Sequence, residues 1–293
     1  MDERFTTVGL FGVLATLWGL SFLAIAVGLE SLAPVLFAAY RYDVAAVLLL
    51  GYAITRTTDW RPVGTANLGA ILGGGLFLVA GNAFLFVGQQ TVPSGVAAIM
   101  QSLVPIVTSL WAFGLLPEER VSATGAVGIL LGFLGVGLIV RPDPANLLGS
   151  DVIGRVLVFL QVASVALGGV LVQRAKPTLG NAALSGWSMV VGAIVLHATS
   201  LALGESFALP TSASAVAAVA YLGVFATAVA FFIYFTLLEV RGALETSLVC
   251  YLVPVVATVV GFLVVFAGFL VLKRRAIADL VDEVQGSVES VGD

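Results

Sequence analysis

The chain has little of what soluble catalysis uses. Among its 293 residues there is one cysteine, Cys250, one histidine, His197, and two lysines, and only 10% of the residues are charged. One cysteine forms no intrachain disulfide, and one histidine beside one thiol makes no metal site of ordinary ligand spacing. No nucleophile, base and orienting acid stand in a usable arrangement, so the chain reads as a non-enzyme with no catalytic residue and no metal. A GxxxxGK[ST] phosphate loop is also missing, which excludes ATP hydrolysis of that type; no cofactor is implied. The net charge of −4 comes from acids at the chain ends and in the loops, which is no footprint for nucleic acid.

What is abundant is apolar length. With 60% apolar residues and a mean hydropathy of +1.11, the sequence carries more apolar surface than one soluble core buries, as expected of an all-α polytopic protein whose partner is the lipid bilayer. A ruler of ~20 apolar residues per crossing predicts spans near 6–28, 33–54, 66–88, 95–116, 122–140, 152–172, 181–203 and 213–237, followed by a last apolar block. The first span has no small-residue cleavage site and reads as a retained helix. Loops between spans are short, as in a bundle of antiparallel neighbours.

Lysine and arginine set the orientation. With the N-terminus cytoplasmic, Arg4, Arg56, Arg61, Arg120, Arg174, Lys176 and Arg241 fall inside, against Arg141 and Arg155 outside. The expected location is the cell membrane, crossed many times.

An internal repeat organises the chain. "SLVPIVTSLW" (Ser102 to Trp111) matches "YLVPVVATVV" (Tyr251 to Val260) at a spacing of 149 residues. With five spans per half, an odd number, the second half enters the membrane from the opposite side, which is the inverted repeat of many secondary transporters.

The first span carries "LWGLSFLAI", the second "APVLFAAYRYDVAA", and the fourth "GVAAIMQSLVPIVTSL" followed by "LPEERVSATGAVGILLGFLGVGLIV". In this order the segments resemble the drug/metabolite transporter superfamily in its EamA-type branch, over nearly the whole chain. The resemblance implies a ten-helix bundle of two inverted five-helix repeats that moves small metabolites, commonly outward, through a central cavity by alternating access.

The second repeat departs from that pattern. After Gly261 the match to the first half jumps by sixteen residues, so Ala112 to Val127 have no counterpart. The 27 uncharged residues between Glu245 and Lys273 would form a helix ~40 Å long, enough for one tilted crossing of a ~30 Å core and not for two. One fused helix is therefore expected in place of the ninth and tenth, nine spans in all, with kinks at Pro105 and Pro254. The domains expected are a first repeat at 1–140, a second, inverted and truncated repeat at 141–272, and an acidic C-terminal tail at 273–293. Nine crossings put Lys273, Arg274 and Arg275 outside, against the charge bias; the alternative is that the fused helix takes the tenth position with its basic end inside. Function divides likewise into a secondary exporter of small metabolites such as amino acids or related amphipathic compounds, and a non-transporting, decayed paralogue acting as an oligomer subunit. A homodimer is a candidate assembly.

Polar residues inside spans are the site candidates. Arg41 and Asp43 lie within the second span as a proton or substrate-charge site; at i and i+2 they project roughly 200° apart and cannot simply pair, and the bland reading sends Arg41 to the outer interface and Asp43 to a neighbouring helix. Trp18, Ser21 and Phe22 on the first helix, Asn82 and Phe86 on the third and Gln101 on the fourth form stripes. The family resemblance places the first, third and fourth helices and their mirror images around the cavity, which adds Gln161 and Tyr234 as substrate-binding candidates. Amides beside aromatic rings suit an amphipathic metabolite. His197 reads as a bond between helices, and Gly73 to Gly75 and the Gly128/Gly132 pair as close helix contacts.

Overall fold

The computed structural model describes residues 3–116 and 150–272, with 127, 131, 134 and 135 between them. Strands are absent among the described residues; backbone polar groups in hydrocarbon must be satisfied internally, and a helix achieves this within its own segment. Eight helices are described, α1 (Glu3–Leu29), α2 (Pro34–Arg56), α3 (Thr65–Gly88), α4 (Ser94–Leu115), α5 (Ser150–Ala175), α6 (Asn181–Ala202), α7 (Ala213–Ser247) and α8 (Val249–Leu272). The first seven are long and apolar enough to cross a membrane. At ~1.5 Å per residue the 24 residues of α8 reach ~36 Å, so it is long enough as well. The expected fifth span at 122–140 and the tail at 273–293 lie outside the described residues, apart from helical positions at Val127, Leu131, Leu134 and Gly135.

The last apolar block is one helix, as its length requires. α7 breaks at Gly242, whose φ of 75° is open to glycine at little cost, and after a turn at Leu248 the chain runs from Val249 to Leu272 with Pro254 inside a continuous helix. α8 lies along α1 and against the first half of α4, while α4 lies along α5. It therefore holds the position that the 149-residue spacing assigns to the mirror of α4. In α4 the proline effect is local. Pro105 has no N–H to offer the Gln101 carbonyl, and Val104 N–H takes that carbonyl instead in a tight turn over Gln101–Leu103.

At the centre α2 and α6 cross, flanked by α3 and α7. Small residues permit these approaches: a Cβ built on Gly186 would sit 2.8 Å from Leu50 of α2, and toward α3 one on Gly192 would sit 2.1 Å from Val79 Cγ1 and one on Gly75 2.7 Å from Val191. Without a hydrophobic drive inside lipid, such close contact supplies much of the attraction between helices. Both α3 and α7 widen midway into a π-helical turn, at Gly74–Val79 and Val224–Val229, 150 residues apart. Large apolar side chains such as Val47, Ile194 and Leu201 point outward, as a lipid-facing shell does.

Matching aromatic latches join α2 and α6 at the two ends of their contact. Trp60, in the link after α2, stacks on Trp187 of α6 with centroids 6.4 Å apart, and Trp187 Nε1 donates to the Trp60 carbonyl at 2.9 Å. At the other latch Phe207, in the link after α6, packs on Tyr40 of α2 at 6.0 Å, and the Tyr40 hydroxyl donates to the Ala208 carbonyl at 3.3 Å. Trp60 and Phe207, like Tyr40 and Trp187, are 147 residues apart. Glu205, beside the second latch, accepts from the backbone N–H groups of Val35 (3.0 Å) and Leu36 (2.8 Å), satisfying two of the orphan donors at the start of α2 and placing a negative charge at its positive end. Beside the first latch Asn67 plays the corresponding part, its Oδ1 accepting from Thr178 N and Leu179 N in the loop that leads into α6.

Candidate functional site

One cavity sits among the helices. α1 contributes Trp18, Ser21 and Phe22, and α2 contributes Arg41; α3 supplies Leu78, Asn82 and Leu85, and α4 supplies Gln101. From the second half come Gln161 and Val165 on α5, Phe231 and Tyr234 on α7, and Cys250 and Val253 on α8. The free volume is about 60 Å³. On a scale where roughly 10–15 Å³ admits one water, that holds a few waters, so a metabolite needs the helices to part.

Equivalent positions of the two halves face each other across this space. Asn82 and Phe231, Leu85 and Tyr234, and Gln101 and Cys250 are each 149 residues apart, and all six line the cavity. The chemistry is unequal: the first half presents amides where the second presents rings and a thiol. Trp18 packs at 5.9 Å from Phe231 and 5.6 Å from Tyr234, forming an aromatic wall. The same cavity is lined by a directed relay of amides. Gln101 Nε2 donates to Gln161 Oε1 at 2.8 Å, Gln161 Nε2 to Asn82 Oδ1 at 3.5 Å, and Asn82 Nδ2 to the Leu78 carbonyl at 2.5 Å. Buried amides left unbonded are costly, and in this chain each bond crosses or tethers a helix.

Arg41 supplies the charge. It is 4% exposed, its Nε donates to Thr227 Oγ1 at 2.9 Å, and its guanidinium carbon lies 4.7 Å from the Tyr42 ring and 5.5 Å from that of Phe86. No carboxylate lies within ion-pair distance of it among the described residues, and the cavity lining contains no Asp or Glu. The route to the outer interface expected on the bland reading is not taken. Aromatic faces and Thr227 hold the guanidinium inward.

Asp43 goes the other way. Its Oδ2 bonds His197 Nε2 at 2.8 Å, and its side chain is 44% exposed on the flank where α2 meets α6, away from the cavity lining. The ~200° between Arg41 and Asp43 separates a cavity-facing cation from an outward-facing acid, and His197 is the bond between helices that its place in the sequence suggested. Phe86 is a second correction. It is fully buried behind the cavity, edge-on to Phe37 at 5.2 Å, and touches the site only through Arg41. Seven of the eight expected substrate-facing side chains, all but Phe86, line one space. Thr227, Phe231 and Cys250 escaped the sequence reading, although carrying the 149-residue spacing to Asn82 and Gln101 finds the last two.

The profile of the EamA-like transporter family matches residues 6–141 and again 152–272. The chain belongs to the EamA-like transporter family. It is 33% identical to a protein of Escherichia coli K12 named as an uncharacterized inner membrane transporter, YedA, over 86% of this chain and 81% of that one. An Archaeoglobus fulgidus protein, named only as an uncharacterized transporter, is 28% identical over 91% and 92% of the two chains. A solved crystal structure superposes with a TM-score of 0.66 at 20% identity, covering 90% of this chain and 88% of the other, which speaks for the fold alone. This EamA-like chain is accordingly a multi-pass membrane protein of a transporter family.

Proposed function

We propose that this protein is a secondary transporter, working as an exporter, that carries small amphipathic metabolites by alternating access between two inverted repeats, 1–140 and 141–272, with the N-terminus cytoplasmic. The observation that carries the reading is a small cavity lined by equivalent positions of both halves, Asn82 with Phe231 and Gln101 with Cys250, in a bundle with matching latches between α2 and α6. Opening one latch while the other holds exposes such a cavity to one side at a time. A lining that combines amides with aromatic rings suits a molecule with a polar head and an apolar body.

The sixteen residues missing from the second repeat bear on whether the protein still works. Among the described residues fourteen line the cavity, in α1 to α5, α7 and α8, so both halves contribute to it although the second repeat is shortened. This supports a working carrier over a decayed paralogue that survives as an oligomer subunit. The test is counterflow of a labelled metabolite panel, amino acids included, into proteoliposomes, beside a variant with a sixteen-residue loop restored after Gly261. Uptake by the native chain above empty liposomes is expected. Uptake by the restored variant alone would assign the native chain to the inert class.

A further inference from the structure

Arg41 is a buried charge to which the fold supplies no opposite charge among the described residues. Among the described residues only Nε is bonded, to Thr227, and both terminal nitrogens have no acceptor, in a lining whose described residues bring amides, rings, the Ser21 and Tyr234 hydroxyls and a thiol and no acid. A lone buried cation is costly, and proteins retain one where something else brings the counter-charge. Rings at 4.7 and 5.5 Å offset part of that cost and hold the guanidinium in place, without occupying its in-plane donors.

We infer that the cavity takes a small carboxylate of net charge −1, whose two oxygens accept from the Nη groups of Arg41 while an apolar or aromatic body lies against Trp18, Phe231 and Tyr234. This rests on the transport reading above and narrows its substrate class. A guanidinium offers parallel N–H donors that match a carboxylate, so the pair forms two charge-assisted hydrogen bonds. Charge count orders the alternatives. A monoanion makes the loaded cavity neutral, a zwitterion leaves it at +1, and an organic cation raises it to +2 with no acid to receive it. The amide relay fits the same polarity. Each of its three amides gives one N–H to a protein acceptor, from Gln101 through Gln161 to Asn82 and the Leu78 carbonyl, and these donors are neutral, so Arg41 supplies the charged donors that an anion needs. Asp43, two residues away, faces the other flank and bonds His197, so it does not neutralise the site.

The test uses three probes with one ring and one chain length: 3-phenylpropionate, phenylalanine and phenethylamine. Binding to the purified full chain in nanodiscs is measured by calorimetry without any gradient. The expected order places 3-phenylpropionate first, phenylalanine next and phenethylamine last, with about 10- to 100-fold between first and last, the weight of hydrogen bonds to a charged group. Arg41→Gln should collapse that spread to within about 3-fold. Arg41→Lys should keep the order with weaker binding, since a point charge replaces the fork. Should Arg41→Gln not fold, Thr227→Val, which frees Nε alone, should weaken 3-phenylpropionate selectively, and the order in the native protein decides by itself. Equal binding of the three probes, binding of none, or an anion preference that survives Arg41→Gln overturns the inference. Flux separates it from the reading it rests on. A protein that binds the carboxylate and moves nothing in proteoliposomes removes transport and keeps this site, whereas one that moves phenethylamine as fast as 3-phenylpropionate keeps transport and removes it.

Discussion

Gln101 Nε2 donates to Gln161 Oε1 at 2.8 Å, so an amide of α4 in the first half is tied to an amide of α5 in the second, directly on the cavity wall. Both side chains are buried, and each is the other's partner. Truncating one strands its neighbour, so Gln101→Ala and Gln161→Ala should each lower stability by about 1–3 kcal/mol. The double substitution should cost less than the two single losses combined, by ~0.6–1.7 kcal/mol, the range for hydrogen bonds between membrane helices. Reversible unfolding in mixed micelles measures it; strictly additive losses would mean that the amides do not interact.

Helix contact at Gly192 leaves no room for a side chain. With a Cβ there only 2.1 Å from Val79 Cγ1 and 2.9 Å from the Gly75 carbonyl, Gly192→Val should cost at least about 1–3 kcal/mol as α3 and α6 are pushed apart. Gly51 has nothing within 4 Å of its Cβ position, and Gly51→Ala should be neutral or gain up to ~1 kcal/mol from helix propensity. Equal melting temperatures for Gly192→Val and the native protein would show that this helix contact tolerates a side chain.

The Asp43–His197 pair is expected to be structural. Because it lies on the outer flank, Asp43→Asn should keep both exchange and flux driven by an imposed pH gradient, with a stability change of about 0.6 kcal/mol for one bond between helices. Loss of gradient-driven flux with exchange intact, in vesicles holding Asp43→Asn, would return the proton role to this residue.

Cys250 is the chain's one cysteine and lines the cavity, so it reports opening without any engineering. A membrane-impermeant maleimide should label it slowly in the native protein, where it is 5% exposed. Trp60→Ala, which removes one latch, should speed labelling from one side of the membrane, the cytoplasmic one on the proposed orientation, and Phe207→Ala should speed it from the other. Both variants accelerating labelling from the same side would contradict alternating access.

Glu205 caps α2 from the link that follows α6. Glu205→Ala should cost about 0.5–2 kcal/mol, as loss of a helix cap does, and Glu205→Gln should recover part of it by keeping one acceptor while losing the charge at the helix end. Melting temperatures of the three proteins, compared at low and high salt, separate the charge from the hydrogen bond.

Phe86 shows where sequence reading of the site stopped. Asn82 with a residue three or four positions later can form a stripe, yet i+3 and i+4 lie ~60° and ~40° to either side of i on a helix. The cavity took the i+3 side, Leu85, and Phe86 turned to Phe37. Local periodicity does not settle which side faces inward, because that depends on how α3 rolls against α5 and α6. The π-helical turn at Gly74–Val79 changes the phase just before Asn82, and nothing in the residues there announced it beyond the glycines.

By itself the sequence determined the class, the approximate course of the described helices other than the longer α7, the repeat and the single helix of the last block, because span length, polar punctuation and a fixed 149-residue spacing are properties of the chain read in order. Which polar residues share a space was decided by tertiary structure. Arg41 became a cavity charge and Asp43 an outer one through the roll of α2 between α6 and α7, and Thr227, 186 residues away, became the partner of Arg41 because two helices from different halves meet at that depth. Inside lipid, apolar side chains suit both the core and the outer face, so composition does not mark which face turns inward. Packing and the pairing of buried polar groups make that choice, and both exist only between helices.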